Sequence, residues 1–303
     1  MTSDIIGEIE ALKKELNCTI LVHNYQMPQI QEIADLIGDS LYLAQAAAQI
    51  KTECILFCGV TFMAETAAII NPEALVIVPT LAARCPMAAQ LSAEELSKWQ
   101  QKYPNTTTVV YVNTLAETKA LADICVTSAN AAQIIAKLDS ERILFGPDRN
   151  LAWYVSQETD KEIIPIPDQG YCYVHRMFST TDILERKKQF PEAEVLVHPE
   201  CDPSVQQLAD KVRSTGGMMR YPSSSEGQFF IIATEIGLVD RLRVNFPDKS
   251  FIPARKDAIC FQQKRNNLYN VYESLRTLHP TIEVKEDIAK RARSSIEAML
   301  SLS

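Results

Sequence analysis

Three cysteines recur at nearly equal intervals along this 303-residue chain. Cys85 and Cys172 lie 87 positions apart, and Cys172 and Cys260 lie 88 apart. Cysteine thiolates are ligands of zinc and of iron–sulfur clusters, and the chain has no C-x-x-C pair of the kind used by zinc ribbons and ferredoxins. One cysteine from each of three loops predicts a tripod for a single metal centre. A cubane cluster held by only three cysteines would leave one iron open to act as a Lewis acid on a substrate.

The alternative to metal ligation is a purely structural role, because cysteines are often small buried hydrophobic residues. It suits Cys18, Cys54 and Cys125, which lie in or beside apolar runs. The three repeated cysteines have more polar neighbours. Cys58 and Cys201 have no equivalents at the repeat interval, and we expect Cys58 to pack and Cys201 not to be a ligand.

Histidines and a carboxylate accompany the cysteines. Three of the four histidines, His23, His175 and His198, follow apolar runs or a repeated cysteine. A lone loop histidine is more often structural than catalytic, but three in one predicted region point to participation in chemistry. Glu200, two residues after His198, is a candidate general base because a carboxylate can move protons on and off carbon. Its plainer interpretation is a solvated loop carboxylate.

Three hydroxyl residues, Ser40, Ser128 and Thr215, keep the same two intervals. Each precedes a helical or glycine-rich stretch, where free main-chain N–H groups favour anions. Any one of them taken alone is more often a plain helix N-cap. Their common register instead favours one shared pocket for carboxylates or phosphate.

Other landmarks place these residues in a threefold repeat. Apolar runs end at His23, Tyr111 and His198, with separations of 88 and 87 positions. Ala-Asp pairs and further apolar runs keep the same register, as in Ala34-Asp35 and Ala122-Asp123. We divide the chain into units at 1–88, 89–175 and 176–263, with a tail over 264–303 that packs back on the first unit.

The repeated unit predicts an α/β fold. Short runs of β-branched and aliphatic residues indicate strands buried on both faces, and helical patterns separate them. Alternating helices and strands predict parallel sheets covered by helices on both faces, with ligands beyond the carboxyl ends of the strands. The fold class is therefore α/β, with three repeated α/β/α domains whose small parallel sheets surround a pseudo-threefold axis.

Composition limits the possible partners and location. The formal net charge is −8 and no basic block is present, which argues against nucleic acid or an anionic membrane as a partner. No apolar run is long enough to span a bilayer, and no secretion signal is visible at the N-terminus. We expect a cytoplasmic protein with reduced thiols.

Several motifs together resemble the quinolinate synthase family. They cover nearly the whole chain and include His23-Asn24-Tyr25-Gln26, Gly38-Asp39-Ser40-Leu41, Gly59-Val60-Thr61-Phe62-Met63-Ala64-Glu65, Cys85-Pro86-Met87-Ala88, Tyr111-Val112-Asn113, Phe145-Gly146-Pro147-Asp148-Arg149-Asn150, Cys172-x-x-His175 and His198-Pro199-Glu200-Cys201. The resemblance implies three α/β/α domains and a 4Fe–4S cluster on Cys85, Cys172 and Cys260. It also implies condensation of iminosuccinate (iminoaspartate) with dihydroxyacetone phosphate to quinolinate, phosphate and water, in NAD biosynthesis.

The same resemblance implies roles for individual residues. It places the substrate against His23, Ser40, Tyr111, Asn113, Ser128, His198, Glu200 and Thr215. It gives catalytic roles to Glu200, His198, Tyr25 and His23, with Tyr25 gating or positioning the substrate and Glu200 assisting proton transfer. L-Aspartate oxidase or aspartate dehydrogenase would supply the iminosuccinate.

The sequence departs from the family after the third cysteine, where Phe261-Gln-Gln-Lys264-Arg265 replaces a Met-Lys-x-x-Thr type of stretch. This leaves a role for Lys264 in holding phosphate open. Two other classes of function also stay open. One is another three-cysteine iron–sulfur hydro-lyase or a zinc lyase on the same tripod, and the other is a non-enzymatic, redox-responsive binding protein.

Overall fold

The computed structural model describes residues 2–303 and contains three parallel β-sheets of four strands each. The strands of each sheet follow one another along the chain. Within the described residues they are β1 (Cys18–His23), β2 (Leu36–Gly38), β3 (Cys54–Cys58), β4 (Leu75–Ile77), β5 (Thr107–Tyr111), β6 (Ile124–Val126), β7 (Arg142–Gly146), β8 (Glu162–Pro165), β9 (Glu194–Val197), β10 (Lys211–Val212), β11 (Phe229–Ala233) and β12 (Ser250–Pro253). The sheet orders are β2-β1-β3-β4, β6-β5-β7-β8 and β10-β9-β11-β12, so all three units share one topology.

Helices separate the strands in the order that the sequence predicts. They are α1 (Thr2–Glu15), α2 (Pro28–Glu32), α3 (Ser40–Gln49), α4 (Thr61–Ile70), α5 (Ala93–Lys102), α6 (Ala116–Lys119), α7 (Ala131–Ala136), α8 (Arg149–Glu158), α9 (Thr180–Gln189), α10 (Pro203–Gln206), α11 (Thr215–Ser224), α12 (Ile236–Asn245), α13 (Leu268–Thr277) and α14 (Glu286–Leu302). Ser92 is the N-cap of α5, because its Oγ accepts a hydrogen bond from the Glu95 N–H. The predicted α/β class with three repeated units is confirmed.

The central strands of the three sheets are almost entirely buried. All five residues of β3 are buried, as are four of the five residues of β5, β7 and β11. Helices cover both faces of these sheets, so the strands carry continuous apolar runs without a polar alternation. This burial is the physical reason that the strands could be recognised in the sequence.

The repeated Ala-Asp pair fastens each first strand to the loop beside it. In each unit the aspartate, at Asp35, Asp123 or Asp210, accepts a hydrogen bond of 2.7–2.8 Å from a strand N–H. The donors are Ile20, Thr108 and Val195. The aspartate N–H donates back to the carbonyl oxygen of the same strand residue, at 3.0 Å in all three units. The landmark therefore repeats because it makes the same structural contact three times.

Two local features differ from the sequence prediction. The stretch Pro222–Gly227, which is rich in serine and bounded by proline and glycine, is typical of a surface loop, but α11 continues through Pro222 to Ser224. Pro222 is buried, so packing outweighs the cost of an interior proline in this helix. The edge strands β2, β6 and β10 were not predicted, because two or three residues are too few to show a hydrophobic period.

The C-terminal helices α13 and α14 lie across the first two units. Helix α13 packs against α1 and β3, whereas α14 packs against α4 of the first unit and against α6 and β6 of the second. The division of the chain at 88, 175 and 263 stays a prediction. None of the described helices is both long enough and apolar enough to cross a membrane.

Candidate active site

One cysteine from each unit lines a single cavity at the carboxyl ends of the sheets. Cys85, Cys172 and Cys260 follow the fourth strands β4, β8 and β12, and each is followed closely by a short 3₁₀ turn. The turns are Met87–Gln90, His175–Met177 and Gln263–Arg265. The three predicted metal ligands are therefore brought together by one repeated loop.

The loop presents the same donor to each sulfur. The main-chain N–H of the third residue after the cysteine, at Ala88, His175 or Gln263, donates to the thiol. Hydrogen bonds of this kind are a normal feature of cysteine ligands to iron–sulfur clusters. Three equivalent N–H···S contacts at one cavity are not expected of cysteines that merely fill a core.

Burial raises the pKa of the Cys85 thiol to about 12 and also raises the pKa of Cys172 and Cys260. The thiols act on one another as well, since Cys85 and Cys260 both raise the pKa of Cys172. Three neighbouring buried thiols are unfavourable as thiolates unless a cation shares the site. The donor set therefore fits a bound metal centre.

Glu200 lines the same cavity and is only 3% exposed. The Tyr111 hydroxyl donates to its Oε1 at 2.6 Å, and Nδ1 of His175 lies 2.7 Å from its Oε2. The latter distance is that of an ion pair, although the angle is out of line for a hydrogen bond. Burial alone would raise the pKa of Glu200, but the contact with His175 and the hydrogen bond from Tyr111 outweigh it and hold that pKa below its ordinary value. Glu200 is therefore ionised at neutral pH.

The histidines His23 and His198 are both held neutral. Burial lowers the pKa of each imidazole to about 3. Nδ1 of His23 accepts from the Tyr25 N–H at 3.2 Å, and Nδ1 of His198 accepts from the Glu200 N–H at 3.3 Å. Because a main-chain N–H can only donate, the proton of each neutral ring is on Nε2. Both rings can therefore donate one hydrogen bond at the cavity.

Tyr25 is linked to Glu200 through two further side chains. Its hydroxyl lies 2.7 Å from Thr234 Oγ1, which lies 2.9 Å from Nε2 of His175. His175 in turn contacts Glu200, and it stacks on His198 with ring centroids 4.3 Å apart. Burial raises the pKa of Tyr25 well above its ordinary value, so the phenol stays protonated. Tyr25, Thr234, His175 and Glu200 form one connected polar chain.

The three repeated hydroxyls also line the cavity, and they are not N-caps. The capping side chains at α3 and α11 are Asp39 and Ser214, one residue earlier, and α7 begins only after Asn130. Thr215 Oγ1 donates to the Tyr25 hydroxyl at 3.3 Å, and Ser128 Oγ lies 3.4 Å from His198 Nε2. The N-cap alternative is therefore wrong for these residues.

Asn113, in the second unit, completes the set of predicted residues at the cavity. Its buried Oδ1 has no hydrogen-bond partner among residues 2–303. A buried amide oxygen without a partner is costly, which indicates a ligand or water at that point. Every predicted site residue lines this one cavity: Cys85, Cys172, Cys260, His23, Tyr25, Ser40, Tyr111, Asn113, Ser128, His198, Glu200 and Thr215.

Comparison with known proteins agrees with this geometry. The profile of the family described as "Quinolinate synthetase A protein" matches residues 7–301. The chain belongs to the quinolinate synthetase A family. A quinolinate synthase of Thermococcus onnurineus is 50% identical over 300 residues, covering 99% of both chains. One of Methanothermobacter thermautotrophicus is 49% identical over the full length of both, and one of Thermotoga maritima is 43% identical over 298 residues, or 98% of this chain and 99% of its own. The chain is therefore an enzyme of this family.

Lys264, which follows the third cysteine where the sequence departs from the family, does not face the cavity as a free cation. Its Nζ pairs with Glu235 Oε1 at 2.9 Å and donates to the Tyr25 carbonyl oxygen. Glu235 also accepts from the Cys260 N–H at 3.1 Å. Lys264 therefore ties the loop of Tyr25 to the loop of Cys260, and phosphate binding is not its observed contact.

The surroundings of Cys201 show that its thiol does not line the cavity. Its side chain is fully buried, and its Sγ lies 3.6 Å from the Ala233 carbonyl oxygen, outside the residues that line the cavity. Cys58 is buried in β3 among apolar side chains. Neither thiol joins the three repeated cysteines, as the repeat predicts.

The sequence prediction missed Thr234 and left His175 without an assigned role. The repeat could not have revealed Thr234, because the equivalent positions in the other units are Gly59 and Pro147. His175 was visible as the last residue of Cys172-x-x-His175. Its contact with Glu200 depends on two separate units meeting, which no local pattern reports.

Two sets of residues could hold a metal. One is the cysteine tripod. The other is Cys172, His175 and Glu200, whose ligand atoms all lie within 4.8 Å of one another. No other group of three such side chains among residues 2–303 is that close, so the three cysteine sulfurs are spaced more widely.

Proposed function

We propose that this enzyme condenses iminosuccinate with dihydroxyacetone phosphate to give quinolinate and phosphate, with two molecules of water by atom balance. The observation that carries the proposal is the meeting of three equivalent cysteines, Glu200 and neutral histidines in one buried cavity. The quinolinate synthases that this chain resembles over its full length support the same reaction.

We propose a 4Fe–4S cluster on Cys85, Cys172 and Cys260 as the cofactor. A single zinc ion with Zn–S bonds of about 2.3 Å would draw tetrahedral sulfurs to roughly 3.8 Å from one another. The tripod is wider than 4.8 Å in at least one pair, which suits a cluster better than one ion. When bound, such a cluster supplies Lewis acidity from an iron that has no cysteine ligand.

The hydroxyls and the amide of the cavity fit anionic substrates. Ser40, Ser128 and Thr215 present one hydroxyl from each unit, and the Nε2–H of His198 points to the same region as Ser128. Iminosuccinate carries two carboxylates and the second substrate carries a phosphate, so several neutral donors are needed. Neutral donors bind these groups without adding a charge that must be desolvated.

Glu200 is the group that accepts protons in this proposal. It is ionised and buried, and Tyr111 and His175 hold both of its oxygens in place. A fixed carboxylate in a water-poor cavity is suited to removing a proton from carbon during condensation and dehydration. Tyr25 keeps its proton, so its hydroxyl can donate a hydrogen bond to a departing oxygen at the cavity.

The product places the enzyme in NAD biosynthesis. Iminosuccinate is an unstable imine, so an enzyme that oxidises aspartate must supply it. We propose L-aspartate oxidase or aspartate dehydrogenase as that source, and the cytoplasm as the shared compartment. The rival functions are another iron–sulfur hydro-lyase, a zinc lyase and a redox-responsive binding protein.

The test is anaerobic reconstitution with iron and sulfide, followed by incubation with freshly generated iminosuccinate and dihydroxyacetone phosphate. Quinolinate formation that depends on both substrates supports the proposal. A reconstituted protein with four irons per chain and no quinolinate would point to a different hydro-lyase. Zinc without broad visible absorption would point to the zinc lyase.

A further inference from the structure

Each of three loops that carry the candidate catalytic residues is held by a side chain from the short helix that follows it. We call residues 23–27, 111–115 and 198–202 the rim loops. The holding side chains are Gln31 of α2, Lys119 of α6 and Gln206 of α10. They are separated by 88 and 87 positions, as the repeated landmarks are. All three are buried, with exposures of 7%, 0% and 4%.

The contact in the first unit surrounds Tyr25. Nε2 of Gln31 donates to the carbonyl oxygen of Asn24 at 3.2 Å and to that of Gln26 at 2.9 Å. These are the carbonyls of the residues on either side of Tyr25. The amide therefore fixes the main chain before and after the side chain that enters the cavity.

The third unit makes the same contact around Glu200. Nε2 of Gln206 donates to the carbonyl oxygen of Pro199 at 2.8 Å and to that of Cys201 at 2.7 Å. Pro199 and Cys201 occupy the register positions of Asn24 and Gln26. Two glutamines 175 positions apart thus hold the same two peptide groups of two loops.

The second unit keeps the position but changes the donor. Nζ of Lys119 donates to the Thr114 carbonyl oxygen, which is equivalent to that of Gln26 and Cys201. Among residues 2–303 this is its one side-chain hydrogen bond, and the ring of Phe62 lies 5.4 Å away. Asn113 is thus held on one side only, whereas Tyr25 and Glu200 are held on both.

We propose that Gln31, Lys119 and Gln206 are positioning residues, which set the places of Tyr25, Asn113 and Glu200 in the cavity. This inference rests on the proposed function for the roles of those three. A displacement of about 1 Å in a catalytic group can cost about 100-fold in rate. Buried main-chain carbonyl groups are unfavourable without a hydrogen bond, so a loop that loses this donor would move until its carbonyls reach other donors.

The experiment compares Gln206→Leu with a matched control, Gln100→Leu. Gln100 lies on α5 and donates its amide to the Leu121 carbonyl oxygen at 2.9 Å, outside the rim loops. A third variant, Gln206→Lys, places the donor of the second unit in the third. Each reconstituted protein is measured for kcat, KM, melting temperature and iron content, and the rim loops are followed by amide hydrogen exchange.

We expect Gln206→Leu to lower kcat about 100-fold with a smaller change in KM. The kcat of Gln206→Lys should be about tenfold higher than that of Gln206→Leu, because the lysine restores one hydrogen-bond donor. Exchange should rise in residues 198–202 of the Leu variant and stay unchanged in residues 23–27. Gln100→Leu should lower the melting temperature without lowering kcat. Should Gln206→Leu fail to fold, Gln31→Leu provides the same comparison at residues 23–27.

The inference is overturned if folded, iron-loaded Gln206→Leu keeps its kcat, if exchange in 198–202 is unchanged, or if Gln100→Leu loses as much kcat. A merely structural role predicts a fall in melting temperature with kcat per folded, loaded chain intact. If the parent enzyme makes no quinolinate, the proposed function fails, but the exchange measurement still decides whether Gln206 holds its loop.

Discussion

The rim loops of the first and third units differ from that of the second in both their active side chains and their support. At equivalent positions the first and third loops carry a histidine followed by Tyr25 or Glu200, whereas the second carries Tyr111 followed by Asn113. The first and third are held by glutamine amides at two carbonyls, and the second by Lys119 at one. The three units thus share one backbone structure but differ in chemistry at a few equivalent positions of their rim loops.

The difference indicates that the loops have separate roles, one in proton transfer and the other in substrate binding. The first and third loops hold groups that can donate or accept protons, namely Tyr25, His23, His198 and Glu200. The second loop holds Tyr111, whose hydroxyl donates a hydrogen bond to Glu200. It also holds Asn113, whose buried amide oxygen has no hydrogen-bond partner among residues 2–303. We therefore expect substitutions in the third loop to affect kcat and those at Asn113 to affect substrate binding.

The largest effect should come from the feature that all three units share. Cys172→Ser should abolish quinolinate formation and lower the iron bound per chain, because serine is a poor replacement for a thiolate ligand. Iron analysis and visible absorption of the anaerobic protein measure this. Cys125→Ser, in buried β6, is the control and should keep its iron. A Cys172→Ser variant with full colour and activity would remove the tripod assignment.

Glu200→Gln should have the next largest effect. It keeps the shape of the side chain but removes the charge that accepts protons, so kcat should fall about 1000-fold, within the range for a general base. Iron content should stay unchanged. Steady-state kinetics with both substrates measures the loss. Turnover near the parent level would instead support a binding protein or another base.

Tyr25→Phe should follow, with kcat lower by about tenfold to 100-fold. The ring remains, but the hydroxyl that contacts Thr234 and Thr215 is lost. The matched change is Tyr221→Phe, which removes a hydroxyl that donates to Glu194 outside the cavity. Equal losses in both variants would mean that the Tyr25 hydroxyl has no special role.

Asn113→Ala tests the second loop. It should raise KM for one substrate by about tenfold, as expected for the loss of one or two buried hydrogen bonds, with less effect on kcat. Product inhibition by quinolinate gives an independent measure of affinity. A fall in kcat as large as that of Glu200→Gln would end the proposed division between loops.

The smallest effect concerns stability and the support of the second loop. Burial lowers the pKa of Lys119, so the unfolded chain binds more protons than the folded chain between that lowered value and 10.5. Lys119 therefore costs stability at neutral pH, and this cost shrinks as the pH rises through that window. Lys119→Gln should add about 1 kcal/mol at neutral pH and less at alkaline pH, as measured by urea unfolding. A gain that does not depend on pH would contradict the protonation argument.

The sequence predicted the architecture well because the patterns that indicate it are local and repeated. Strands such as β3 and β7 are buried on both faces, so their composition alone reveals them. The aspartates Asp35, Asp123 and Asp210 repeat because each bonds the same strand position. The short edge strands and the helix through Pro222 were not visible, because packing decides them against weak local preference.

For the site, the sequence by itself determined which residue types occupy equivalent positions, since register is a property of the chain. It could thereby select Cys85, Cys172 and Cys260 and the hydroxyls Ser40, Ser128 and Thr215. Only the tertiary structure decided which of these meet residues of another unit. The contacts of Glu200 with Tyr111 and His175, and of Tyr25 with Thr234, join side chains 25 to 209 positions apart. Such contacts arise where three sheet edges face one cavity, and no spacing within one unit encodes that meeting.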